Sequence, residues 1–190
     1  MSSTPVPPVA TRKQQILDTA AELFADRGFH GVSVHDIGAA CGVSGPALYR
    51  HFASKDAVLS DMLIAISEEL LTEGRARGAA APDPRAALDS LIGWHVDFAL
   101  THPALIVVQE REWTNLDADS RSRVRALQLA YIDTWVTVVR ELRPDLDQRT
   151  ARAAVQAAFG LLNSTPHSAA RSRGEAARQL SGMALRALVG

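Results

Sequence analysis

Residues 34–52 read VHDIGAACGVSGPALYRHF, and the spacing of apolar, small and capping residues in this stretch decides the fold. Ser33 followed by Asp36 has the form of a capping box, so a helix starts at Val34 and carries Val34, Ile37 and Ala40 before Gly42 breaks it. A helix of barely two turns cannot stand alone. Ser44 caps a second short helix, Pro46 is tolerated in its first turn, and Ala47, Leu48 and Phe52 supply its inner face. Ile37 points inward, small Gly38 lets the two helices approach, Gly42 can take the left-handed turn conformation, and Val43 and Leu48 fill the space between them. Two such helices joined by Gly42-Val43-Ser44 read as a helix-turn-helix.

Outward from this core the pattern stays helical. Upstream, Ile16, Ala20, Leu23 and Phe24 recur at steps of three and four until Gly28, which predicts a bracing helix from Thr11. Residues 1–10, with Pro5, Pro7 and Pro8, predict a flexible arm. Downstream, Ser54 opens a long helix whose stripe is Val58, Met62, Ile66 and Leu70, widened by Leu59 and Leu63, and which Gly74 and the 78–84 segment are expected to end. Further helices follow over 85–100, from Pro103 to about Trp113, and over 119–143, 148–162 and 175–189. No convincing strand and no internal repeat interrupts them. The fold is therefore predicted to be all-α, a head over 11–56 and a helical body over 57–190.

Composition bounds the function. The 190 residues are 47% hydrophobic and 22% charged, enough to bury a core, and the 32 alanines favour helix. The net charge of -1 gives no global pull toward nucleic acid, so any such site must be local. Apolar runs such as Leu105–Val108 fall far short of the roughly 20 residues that cross a bilayer, residues 1–10 hold no apolar signal core, and the expected location is the cytoplasm without membrane association. Cys41, the only cysteine, excludes an intramolecular disulfide and any thiolate-rich metal cage. His95 and His102 lie seven apart, but Pro103 interrupts the helix and no third ligand is evident, so no metal and no cofactor is expected.

The head resembles the tetracycline-repressor (TetR) family of bacterial transcriptional regulators. The resemblance covers about Thr11 to Leu63 and rests on the run Ile16 to Phe24, on Gly28-Phe29 and Val32 to Ile37, on Gly42-Val43-Ser44, on Leu48 to Phe52 and on Ser54-Lys55-Asp56. It implies that Ser44 to Phe52 is a recognition helix in the major groove, with Tyr49 and His51 reaching DNA and with Ser33 and Lys55 holding phosphates. Ser44, Gly45 and Pro46 open that helix, and Gly45-Pro46 offers few side chains to base edges. Physical reading adds that Ser54-Lys55 places a cation and bare amides where a phosphate can sit. Arg12, Lys13, Arg50 and Lys55 fall at helix ends that such a head turns toward the duplex, so a local basic face is expected.

In the body, Trp94, His95, Phe98, Gln109, Trp113, Tyr131 and Trp135 mix aromatic with polar groups, which suits either a plain core or an apolar pocket with a few orienting groups. The resemblance favours a pocket for a small hydrophobic effector, such as an acyl-CoA or another lipid-like metabolite, with Arg111 or Arg121 to Arg125 at its mouth. Ala151, Ala154, Ala158, Ala177 and Ala184 are too small to fill a private core and are expected to serve a homodimer interface through the last two helices. The function these features support is a repressor released from a palindromic operator by its effector. An all-helical enzyme on the same apolar ligand, or a non-regulatory binder of it, is the alternative, and against the enzyme stands the lack of an HExxH, a phosphate-binding glycine loop or a nucleophile elbow.

Overall fold

The structure, a computed structural model, describes residues 11–165 and 172–190. The predicted arm over 1–10 lies outside the described residues. Among them the order is α1 (Arg12–Arg27), α2 (Val34–Cys41), α3 (Gly45–Tyr49), α4 (Lys55–Ala80), α5 (Pro84–Thr101), α6 (Pro103–Arg111), a 3₁₀ turn (Trp113–Asn115), α7 (Ala118–Leu142), α8 (Gln148–Leu162) and α9 (Arg173–Val189). Every regular element described is helical, as the periodicity predicts.

The caps form as read. Ser33 accepts from the Asp36 amide while the Asp36 carboxylate accepts from the Ser33 amide, and Gly42 takes the left-handed conformation at φ 65°. Ser44 and Ser54 cap α3 and α4. Ile16, Phe24, Ile37 and Leu48 are wholly or almost wholly buried where α1 packs on α2 and the α2–α3 pair closes beneath it.

The long helix α4 joins this head to the body and packs on α1, α5 and α7. It runs through Gly74, the first of the two expected stops, and ends at Ala80, inside the 78–84 segment that is the second. Gly74 is buried, and a Cβ there would lie 2.5 Å from Cε2 of Tyr131, so the glycine serves close approach of α7 rather than termination. Gly74→Ala is expected to cost about 1–3 kcal/mol despite better helix propensity, because the added Cβ must push the buried Tyr131 ring off its packing against α4. Far-UV circular dichroism should be unchanged while the thermal midpoint falls; an unchanged midpoint would show that the ring yields.

Pro103 lacks an amide to continue α5, and the axis turns by 86° between α5 and α6. That turn carries α6 out of the body and against α1 of the head. Around α7, α8 and α9 complete the bundle, α9 lying on α5 and α8. Here the alanine reading is corrected: Ala151, Ala158 and Ala184 are buried inside the protomer, where their small size lets α8 and α9 approach the bundle closely. Only Ala154 and Ala177 of the five are partly exposed. No single helix among the described residues is long and apolar enough to cross a membrane.

Candidate nucleic-acid interface and ligand cavity

In the head, Ser44 Oγ accepts from the Ala47 amide at 3.4 Å and Leu48 anchors α3 inward, which turns Pro46, Tyr49 and His51 outward. Tyr49 is 56% exposed, a large ring on a solvent face that gains little from folding. The His51 ring rests 6.4 Å from that of buried Phe52, and Arg50 is exposed beside it. Gly45 is half-buried and leaves the start of the helix open to close approach.

The expected basic face is largely used within the protein. Lys55 Nζ turns inward, donating to the carbonyls of Phe29 at 2.7 Å and Val32 at 2.8 Å and lying 4.2 Å from the centre of the Phe29 ring. The ammonium sits there because the α1–α2 loop offers carbonyls that no helix satisfies. Arg12 donates to the carbonyl of Cys41 at 2.8 Å, fastening α1 to the end of α2, and Lys13 pairs with Asp61 at 2.7 Å. Ser33 is likewise engaged: its hydroxyl and amide both donate to Asp36 and hold that carboxyl below its ordinary range. Arg12, Ser33 and Lys55 thus shape the α2–α3 edge from behind.

In the body, a cavity of about 200 Å³ opens between α4, α5, α6, α7 and α8. Of the sequence candidates it gathers His95, Phe98, Gln109 and Tyr131. Trp94, Trp113 and Trp135 stand off its wall. Trp135 is fully buried behind it, edge-on to His95, Tyr131 and Phe159; Trp94 carries the Arg77 guanidinium 4.8 Å above its ring; Trp113 sits in the 3₁₀ turn beyond α6. The wall also includes Ser67, Gln128, Phe159 and Asn163. Gln128 is legible among the α7 polar residues, whereas Phe159 reads as one more apolar step of α8 and Asn163 as a helix end. Only the crossing of α8 over α5 and α7 reveals the last two.

His95 is the polar centre of this wall. Its Nε2 donates to Asn163 Oδ1 at 3.0 Å, which leaves Nδ1 to accept from the Tyr131 hydroxyl at 3.3 Å. Burial pushes the imidazole down to about 4, so it is neutral at pH 7, and burial pushes the Tyr131 phenol above its usual range. The rings of Tyr131 and Phe159 stack 5.5 Å apart beside it.

A second arrangement escapes sequence reading. Glu112, just past α6, is 6% exposed, and its Oε1 accepts from the Phe29 amide of the head at 3.1 Å while Oε2 accepts from Asn115 at 2.7 Å. Arg111 adds a contact to the Ala25 carbonyl at 3.4 Å. Gln109 on the cavity wall is three residues before Glu112. One short helix therefore touches the cavity along its length and the head at its end, and Phe29 is also the residue whose carbonyl holds Lys55.

Comparison with known proteins bears on both ends. Residues 16–62 match the bacterial regulatory proteins of the tetR family, and residues 81–167 match the tetracyclin repressor-like C-terminal domain. The HTH-type transcriptional repressor KstR2 of Rhodococcus jostii (strain RHA1) is 28% identical over 167 residues, 84% of this chain and 78% of that protein. A TetR-family transcriptional regulator from Bordetella parapertussis superposes with a TM-score of 0.82 at 26% identity, covering 93% of this chain and 95% of its own. The regulator FadR from Bacillus subtilis, solved in complex with stearoyl-CoA, shares the fold with a TM-score of 0.74 at 19% identity, over 93% and 97% of the two chains.

Proposed function

The chain belongs to the tetR family of bacterial regulatory proteins and is a ligand-responsive DNA-binding regulator of transcription, and we propose that it is a homodimeric repressor whose palindromic operator is released when a compact, mainly apolar effector enters the α4–α8 cavity. Residues 11–56 act as the DNA-reading head and 57–190 as the effector-binding and dimerising body. The observation that carries the DNA-binding edge is Tyr49, a large ring held 56% exposed on α3 by a buried neighbour. Ser44, Gly45 and Pro46 bring the start of α3 against the duplex, and Tyr49, Arg50 and His51 supply its contacts. Arg12, Ser33 and Lys55 hold this edge in position, with phosphates meeting the backbone amides at the start of α4.

A head with so few outward cations binds weakly alone, and two heads on one dimer gain by effective concentration. The partner surface is the outer side of α8 and α9, where Ala153, Ala157, Gly160, Met183 and Ala187 are exposed. The two recognition helices then sit about one DNA turn apart, roughly 34–36 Å. His95, Phe98, Gln109 and Tyr131 bind the effector. At about 200 Å³ the cavity is smaller than the roughly 300–1,000 Å³ of pockets for drug-sized ligands, so a long acyl-CoA enters only if its CoA portion stays outside.

Selection from a random DNA pool by the purified protein at fixed salt tests this reading. An enriched palindrome is expected, and Tyr49→Ala should weaken binding to it at least about tenfold while leaving the thermal midpoint within about 1 °C, because an exposed ring contributes little to the fold. No enrichment above salt-sensitive background would refute specific DNA reading.

A further inference from the structure

The polar groups of the cavity wall state what an effector must offer. Four are amides: Gln109, Gln128, Gln156 and Asn163. His95 has both nitrogens engaged, by Tyr131 and Asn163, and the Ser67 hydroxyl donates to the Leu63 carbonyl at 2.7 Å. Gln128 differs, since its Nε2 is buried without a hydrogen-bond partner. Among the described residues the wall contains no lysine or arginine, and its one carboxylate, Glu110, lies exposed at the rim. Of the arginines expected at the mouth, Arg111 is held on the Ala25 carbonyl, Arg121 on the Leu116 carbonyl and Arg123 on Glu68, while Arg125 is exposed and off the wall.

A buried donor left unpaired is unfavourable and becomes favourable when an acceptor reaches it. An anion entering here would shed its hydration, meet no counter-charge on the wall and approach Glu110. An ammonium group would face the Gln128 donor. Resting on the reading of this cavity as the effector site, we propose that it selects an uncharged molecule, apolar over most of its surface, whose carbonyl oxygen accepts from Gln128 Nε2. Tyr131 and Phe159 stack against its apolar body, and any charged portion of a larger effector remains outside.

Three ten-carbon probes test this on the full-length protein: 2-decanone, decanoate and decylammonium, with binding followed by tryptophan fluorescence and by the thermal midpoint. The ketone should bind at least about tenfold more tightly than either ion. Gln128→Leu should weaken the ketone about tenfold and leave the thermal midpoint of the free protein unchanged or raised, since it removes an unpaired buried donor. Equal or tighter binding of decanoate or decylammonium, or undiminished ketone binding by Gln128→Leu, would overturn the proposed ligand class while the effector site stands. Binding of none of the three would overturn both.

Discussion

Glu112→Ala is expected to loosen the head from the body and to uncouple DNA release from effector binding. The variant leaves the Phe29 amide buried without its acceptor, 3.1 Å from where Oε1 stood, and frees Asn115 as well. Such a loss costs about 1–3 kcal/mol, or a fall of about 5 °C in the thermal midpoint for a chain of this size. The functional consequence follows from where α6 lies. A ligand against Ile106 or Gln109 can bias the head only through a rigid element whose two positions it distinguishes, and the Glu112 carboxylate is the polar tie at the end of that element. Without it, the ratio of DNA affinities in the absence and presence of effector should shrink several-fold even where the effector still binds. Glu112→Gln keeps an acceptor for Phe29 and should recover most of the stability. Urea unfolding and DNA titration with and without effector measure both; an alanine variant with unaltered stability and unaltered affinity ratio would refute the coupling.

The second large effect is a loss of stability in mild acid. His95 is held to about 4 by burial, against 6.5 in an unfolded chain. Between those values the unfolded state binds a proton that the folded state does not, so the stability to unfolding rises with pH across this window and is lost as pH falls through it. The loss amounts to about 3 kcal/mol between pH 7 and pH 4. Asp36, Asp117 and Asp147 act lower. Hydrogen bonds from Ser33, from Ser120 and from Thr150 hold their carboxyls below the ordinary range, so their contribution is present above that range and disappears as pH falls through their folded values. His95→Gln removes the titrating ring, and its stability should be nearly flat from pH 7 to 4.5. An unchanged slope in that variant would place the acid sensitivity elsewhere.

Much of the fold was legible because its signals are local. Ser33-Asp36, Gly42 and Ser44 lie within a few residues of the backbone groups they satisfy, so their chemistry is written in adjacent letters. Gly74 shows the limit. A glycine in a helix reads as a stop when only its neighbours are known, and as a contact once Tyr131 is placed against it from 57 residues away. Lys55 is similar, for a cation in a first helical turn reads as an anion site until the Phe29 and Val32 carbonyls fold in front of it. Three of the seven pocket candidates missed the cavity wall for the same reason: an aromatic stripe tells which face of a helix is buried, not whether its neighbour there is a void or another ring.

The sequence by itself determined the helices, their ends, the helix-turn-helix and the presence of a larger aromatic body, because backbone propensity, capping and amphipathic period act within a few turns. Only the tertiary structure decided that four of the pocket candidates share one cavity, that Gln128 lines it with its Nε2 buried and unpartnered, and that Glu112 ties α6 to the head. Those relations depend on the 86° turn at Pro103 and on the close α4–α7 approach at Gly74, where side chains far apart in the chain compete for the same space.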